Sequence, residues 1–189
     1  MPPRKRNEEV FGNMARRYAF YAHKWRDRTY VRCPNCHKTL MYCPYCKGSL
    51  LLQKAQTKPD FLVAMDYVYV EAKGAEDRWA FIDSIRDNQR IVANEHETWL
   101  FLEMGTGRAP KGKQAYFVPW EVWVEIEKGL IEKNKKSLIF ERTKTTKSPT
   151  AREVLGKWEL SWESGGWVIP SQHEFWIRHG EAYLELMEK

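Results

Sequence analysis

Lys58-Pro59-Asp60-Phe61-Leu62-Val63-Ala64-Met65-Asp66-Tyr67-Val68-Tyr69-Val70-Glu71-Ala72-Lys73 is the stretch on which the reading of this 189-residue chain turns. Two β-rich runs, Asp60 to Ala64 and Tyr67 to Lys73, flank Met65 and Asp66, and side chains along such runs alternate between the two faces of a sheet. Glu71 and Lys73 therefore share a face. If Met65 and Asp66 form a two-residue loop, Ala64 pairs with Tyr67 and Val63 with Val68, and counting outward sets Asp60 opposite Glu71. Opposed side chains lie about 4.5 to 5.5 Å apart at Cβ, close enough to hold one divalent cation. A slip of one residue would send Asp60 to the other face.

Two carboxylates so placed repel unless a cation sits between them, and hard oxygen ligands favour Mg²⁺ or Mn²⁺. Lys73, next along the same face, could orient or help deprotonate an attacking water and stabilise charge on a phosphate. The same pattern also describes a surface hairpin with a cross-strand carboxylate and an i,i+2 ion pair.

Charge is uneven along the chain. Residues 1–58 carry 13 Lys and Arg against 3 Asp and Glu, residues 59–132 carry 8 against 14, and residues 133–189 carry 10 against 8. A carboxylate site beside a surface that attracts phosphates has this distribution, as does a plain solvated basic arm. The basic start, Met1 to Arg6, leads into Asn7-Glu8-Glu9 rather than an apolar stretch, and there is no apolar run of about 18 residues. The expectation is a soluble, cytoplasmic protein without membrane association.

Helical spacing of Val10, Met14, Tyr18 and Tyr21 predicts a first helix over residues 8–25. Leu50 to Gln56 links the cysteine segment to the acidic hairpin. Asp77 to Asn94 is expected to form a second helix, with Ile82, Ile85, Gln89 and Val92 on its apolar face. Laid beside the hairpin, that helix would point Gln89 at the metal site or the scissile phosphate; a glutamine bonded to backbone at the core edge is the alternative. Strands are predicted over Thr98 to Met104 and Tyr116 to Pro119. The intervening Gly105 to Lys113 loop lacks the Gly-Lys-Ser/Thr ending of a P-loop, so no nucleotide cofactor is expected; it reads as a solvated turn or a basic hairpin touching a nucleic-acid backbone. Trp120, Trp123, Val124 and Glu127 mark a helix ending at Gly129. Leu138-Ile139-Phe140 suggests an edge strand in a basic segment, and Trp158 to Trp162 with Trp167 to Ile169 a hairpin. The tail tryptophans, Trp176 included, suit an aromatic core, a dimer surface or stacking on unpaired bases.

All four cysteines fall together, as Cys33-Pro34-Asn35-Cys36 and Cys43-Pro44-Tyr45-Cys46, with six residues between the pairs. Four thiolates at that spacing suit a closed tetrahedral Zn²⁺ site, and in an intracellular chain this outweighs a pair of disulfides. His37 stands just outside the full set. Arg26, Arg28, Arg32, Lys38 and Lys47 surround the module, which could press a basic surface onto DNA or brace the first helix.

Pro59-Asp60, ten further residues and then Glu71-Ala72-Lys73 resemble the PD-(D/E)XK nuclease signature. The order of helix, acidic hairpin, helix bearing Gln89 and following strands is similar to that superfamily's restriction-endonuclease-like αβββαβ core with a mixed sheet. Over residues 8–130 the chain most resembles Holliday junction resolvases of the archaeal and recombination protein U types. The resemblance implies an α/β nuclease core, taken over 1–132; the zinc knuckle inserted at 33–46 and the basic, Trp-rich extension over 133–189 with its β-hairpin are read from the residues and are not part of the family's common core. It further implies a homodimeric Mg²⁺-dependent endonuclease acting on branched DNA. Asp60, Glu71, Lys73 and Gln89 would be catalytic, with Asp60, Glu71 and the Ala72 carbonyl as metal ligands. Such resolvases carry an acid in the first helix, where this chain has Ala15, Arg16 and Arg17; Glu8 or Glu9 could substitute. Rival expectations are a related nuclease acting on linear or flap DNA and a non-catalytic, zinc-containing DNA-binding protein.

Overall fold

The computed structural model describes residues 3–18, 22–24, 61–63, 68–75, 79–81, 85, 87–105, 109–135, 137–142 and 147–188. Asp60, Met65, Asp66, the 106–108 part of the glycine-rich loop and the cysteine module with Cys33, Cys36, His37, Cys43 and Cys46 lie outside them, as do Arg26, Arg28, Arg32, Lys38, Lys47 and the Leu50 to Gln56 link. In chain order the elements are α1 (Pro3–Arg17), β1 (Ala22–Lys24), β2 (Phe61–Val63), β3 (Val68–Ala75), β4 (Trp79–Phe81), α2 (Asp87–Glu95), β5 (Thr98–Met104), β6 (Gln114–Pro119), α3 (Trp120–Glu132), β7 (Ser137–Ile139), α4 (Ala151–Leu155), β8 (Ser161–Glu163), β9 (Gly166–Val168) and α5 (Glu174–Met187). The protein is mixed α/β. No helix among the described residues is long and apolar enough to cross a membrane.

Five strands make one mixed sheet in the order β1-β2-β3-β5-β6. The first three form an antiparallel meander, and β2 meets β3 with Phe61 opposite Val70, Leu62 opposite Tyr69 and Val63 opposite Val68. That is the register counted from the hairpin sequence. β3 then runs parallel to β5, pairing Glu71 with Leu100 and Lys73 with Leu102. Parallel neighbours need a crossover, and here it passes through β4 and α2. β5 and β6 close antiparallel. Gly105, at the end of β5, has φ of 105°, and a Cβ there would lie 2.2 Å from the Gly112 carbonyl oxygen, so a side chain is excluded at this point of the loop.

Both faces of the sheet are covered, which explains why every residue of β5 is buried. On one face, Phe11, Met14 and Ala15 of α1 pack with Val68, Val70, Ala72, Trp99, Phe101 and Phe117. On the other, Leu100, Leu102, Met104, Tyr116 and Val118 pack with Trp120, Trp123 and Leu130 of α3 and with Ala151 and Leu155 of α4. The period-2 alternation of β3 therefore puts Val68, Val70 and Ala72 on the α1 side and leaves Glu71 and Lys73 to the α3 side. Residues 133–189 feed both cores: Leu160, Trp167, Ile169 and Phe175 join the first, and Leu138, Ala151 and Leu155 the second. Trp162 and Trp176 pack partly buried on the first and Trp158 on the second.

Several elements depart from the expected boundaries. The first helix begins at Pro3 and has ended by Tyr18, because Ala22–Lys24 is drawn into edge pairing with β2. The second helix starts at Asp87 rather than Asp77. Trp79–Phe81 is instead a strand, pairing Trp79 with Ile139 and Phe81 with Ser137 of β7, a partner nearly sixty positions away by sequence. Local periodicity has no access to that partner. The third helix runs through Gly129 to Glu132, burying Leu130. Its stop is Asn134, at φ 52°, with Lys135 N–H bonded to the Leu130 carbonyl at 2.7 Å and Asn134 N–H to that of Ile131 at 2.8 Å. This is a Schellman ending with asparagine in the left-handed position. The tail hairpin turns at Ser164 and Gly165, φ 46° and 81°, as a two-residue primed turn requires. Helix α5, not anticipated from the sequence, is capped by His173.

Candidate functional site

Glu71 is 2% exposed in the interior of β3. Its Oε1 accepts two bonds: Lys73 Nζ approaches to 2.7 Å from the same strand face, and Gln89 Nε2 donates at 2.5 Å from α2. Lys73 Nζ also donates to Gln89 Oε1 at 3.3 Å, closing a triangle of three polar side chains. Lys73 is the outermost member, with 15% of its side chain exposed against 3% for Glu71. The Ala72 side chain points into the α1-side core.

The other carboxylate oxygen behaves differently. Glu71 Oε2 is buried and accepts no hydrogen bond from the described residues. Leaving a buried acceptor without a partner costs about 1 to 3 kcal/mol, more when it is charged, so such an atom demands an explanation. Two other buried glutamates set the standard. Glu103, on the opposite face of β5, takes Trp167 Nε1 at 3.0 Å on Oε1 and Lys113 Nζ at 2.7 Å on Oε2. Glu127 on α3 takes both arms of the Arg90 guanidinium, at 2.6 and 2.7 Å. At both of these buried glutamates both oxygens are satisfied.

The Arg90–Glu127 fork also explains how Gln89 is aimed. Arg90 follows Gln89 on α2, and its guanidinium pins that helix to α3 while lying 5.8 Å from the Trp120 ring centre. The hydrogen bonds to Glu127 push the Arg90 pKa above its already high ordinary value, so the fork stays ionised. A second tie joins the same helices, Trp120 Nε1 donating to Asn94 Oδ1 at 2.7 Å. Neither tie was anticipated from the sequence. A signal existed: Glu127 falls on the apolar stripe with Trp120 and Trp123, and a carboxylate on a buried stripe requires a cation.

Of the expected site residues, Glu71, Lys73 and Gln89 are brought together. Asp60, one residue before the first observed rung of the β2–β3 ladder, lies outside the described residues, as do the four cysteines. Glu8 is half-buried and Glu9 exposed on α1, whose packing residues contact the opposite face of the sheet. Among the described residues no group of three or more His, Cys, Asp or Glu side chains is placed to hold a metal ion. What they do offer is a buried carboxylate oxygen, Glu71 Oε2, with no hydrogen-bond partner among them, a hard donor of the kind Mg²⁺ and Mn²⁺ prefer. Comparison of the chain with protein-family models, with curated proteins and with solved structures found no match.

Proposed function

We propose that the chain is a Mg²⁺-dependent DNA endonuclease with a restriction-endonuclease-like core, built on Asp60, Glu71, Lys73 and Gln89 and preferring four-way junctions. The observation that carries the reading is the buried Oε2 of Glu71, without a hydrogen-bond partner among the described residues, in contrast with Glu103 and Glu127, whose oxygens are both occupied. The order of helix, three-stranded antiparallel meander, helix and parallel strand supports the core. The reading requires Asp60 to continue the β2–β3 register by one residue and face Glu71. Asp60, Glu71 and the Ala72 carbonyl would then hold the cation.

A bound Mg²⁺ would supply Lewis acidity to the phosphate and to water. The chain's own residues do the rest. Gln89 and Lys73 hold Glu71 Oε1, which restrains the carboxylate and leaves Oε2 to take the cation. Lys73, partly exposed, is positioned to donate to a phosphate oxygen and to offset the charge that develops there. In the hydrolysis, the water oxygen bonds to phosphorus, one P–O ester bond breaks, and the departing sugar oxygen takes up a proton.

Labelled junction, flap and linear duplex DNA should be assayed in parallel with the wild type, Asp60→Asn, Glu71→Gln and Lys73→Ala. Paired symmetric cuts in the junction alone are expected, lost in all three variants with DNA binding retained. Full activity in any variant sinks the assigned chemistry; cutting confined to flap or duplex replaces the junction preference. Absence of Mn²⁺ binding in the wild type would leave a zinc-containing DNA-binding protein as the better account.

A further inference from the structure

The C-terminal end of α3 opens into a cleft of about 380 Å³ on the same side of the sheet as Glu71. Leu130, on its wall, packs in the cluster that holds Leu100 and Leu102, the ladder partners of Glu71 and Lys73. Val154 supplies apolar surface from α4. Among the described residues four cations line the cleft: Lys133 and Lys135 from the end of α3, and Arg142 and Lys147 from the segment after β7. Among the described residues no acid lines it. Glu153, outside the lining, pairs with Arg142 at 2.9 Å, and both are well exposed.

Lysines often gather at a helix C-terminus because the last carbonyls attract them. That accounts poorly for this cleft. The Leu130 and Ile131 carbonyls are already taken by the backbone N–H groups of Lys135 and Asn134, and two of the four cations come from another segment. Cations gathered around one concavity repel one another, and a ligand with several anionic oxygens relieves that repulsion. The placement also suits the site. Lys133 stands six residues beyond Glu127, about 9 Å along the helix that anchors Gln89.

We propose that this cleft seats the phosphate backbone of a duplex arm of the DNA on which the Glu71 site acts; the identity of the polyanion rests on the nuclease reading. Binding of a labelled duplex several helical turns long is measured by fluorescence anisotropy in EDTA, over about 50 to 200 mM salt. The wild type is compared with the triple variant Lys133→Ala, Lys135→Ala, Lys147→Ala and with the matching triple change to Arg. Arg142 is left in place because it is paired. Losing three phosphate contacts should lower the magnitude of the log K against log salt slope by about 2.7 and weaken binding uniformly across sequences. The arginine triple should keep the wild-type slope. All three lysines lie at the surface, so unchanged circular dichroism is expected.

Unchanged slope and affinity in the alanine triple overturn the proposal while leaving the nuclease reading intact. A lowered slope in a protein that cuts no DNA with Mg²⁺ sustains the cleft and ends the nuclease reading. If the triple instead abolishes binding to phosphatidylserine vesicles and leaves DNA binding untouched, the cleft is a membrane site and the proposal falls.

Discussion

Replacing Lys73 by methionine keeps the aliphatic stem and removes the ammonium that faces Glu71 Oε1 at 2.7 Å. The carboxylate left behind has only 3% of its side chain exposed, so water cannot take over. Removing one partner of a buried pair costs about 3 to 5 kcal/mol. Gln89 still donates to the same oxygen and Lys73 is itself partly solvated, which places the expected loss near the lower end, about 3 kcal/mol. Removing both charges, with Glu71→Gln and Lys73→Met together, should cost less than the single changes added, with a coupling of about 2 kcal/mol. If Oε2 receives a cation with a dissociation constant of about 1 mM, then about 10 mM Mg²⁺ adds about 1.4 kcal/mol to the wild type and to Lys73→Met, and nothing to Glu71→Gln. Urea unfolding followed by fluorescence of the nine tryptophans, in EDTA and in Mg²⁺, reads all of these. The reasoning is refuted if Lys73→Met lies within about 0.5 kcal/mol of the wild type in EDTA, or if Glu71→Gln gains as much from Mg²⁺ as the wild type does.

Other consequences are open to direct measurement. Burial holds the His173 pKa below its ordinary value, with its Nδ1 accepting from the Phe175 N–H at the start of α5. The unfolded chain therefore takes up the proton first, and stability should be full above the ordinary histidine pKa and fall as pH drops below it; urea midpoints across pH 8 to 5 should show a shallower fall in His173→Asn, which keeps the cap. Glu127→Gln breaks the charged fork to Arg90 and should cost about 2 kcal/mol; under the proposed nuclease function it should also slow cleavage, because α2 no longer holds Gln89 in place. Thr150→Ala removes the capping box shared with Glu153 and should cost about 1 kcal/mol in thermal or urea unfolding. For the module at Cys33, Cys36, Cys43 and Cys46, elemental analysis should find one zinc per chain, lost in Cys33→Ser; a zinc-free wild type with oxidised thiols would reverse that expectation.

Part of the site is legible in the sequence. Glu71 and Lys73 share a face because β periodicity is a property of neighbouring residues, and the Val63 to Val68 rung follows from a two-residue gap between two β-rich runs. Gln89 was legible from helical spacing with Ile85 and Val92. Other features were not. Trp79-Ala80-Phe81 took part in the expected second helix until β7, far along the chain, claimed it as a strand. Helix α5 carries Phe175, His179 and Tyr183 at helical spacing, but a histidine on that stripe and Gly180 in the helix interior weaken the local signal. Glu103 is a case where sequence is mute: nothing nearby announces that Trp167, 64 residues on, will donate to it.

By itself the sequence determined the face that Glu71 and Lys73 share, the pairing of Phe61–Val63 with Val68–Val70, the helical placement of Gln89 and the grouping of four cysteines, since each depends on short-range periodicity or spacing. Tertiary structure alone decided that Glu71 is buried with one oxygen satisfied and the other not, that Arg90 and Glu127 lock the Gln89 helix in position, and that four cations from two segments meet at the end of α3. Those facts arise from contacts between residues distant along the chain. Burial, which sets the energetic cost of an unpaired charge, exists only once the layers have closed around it.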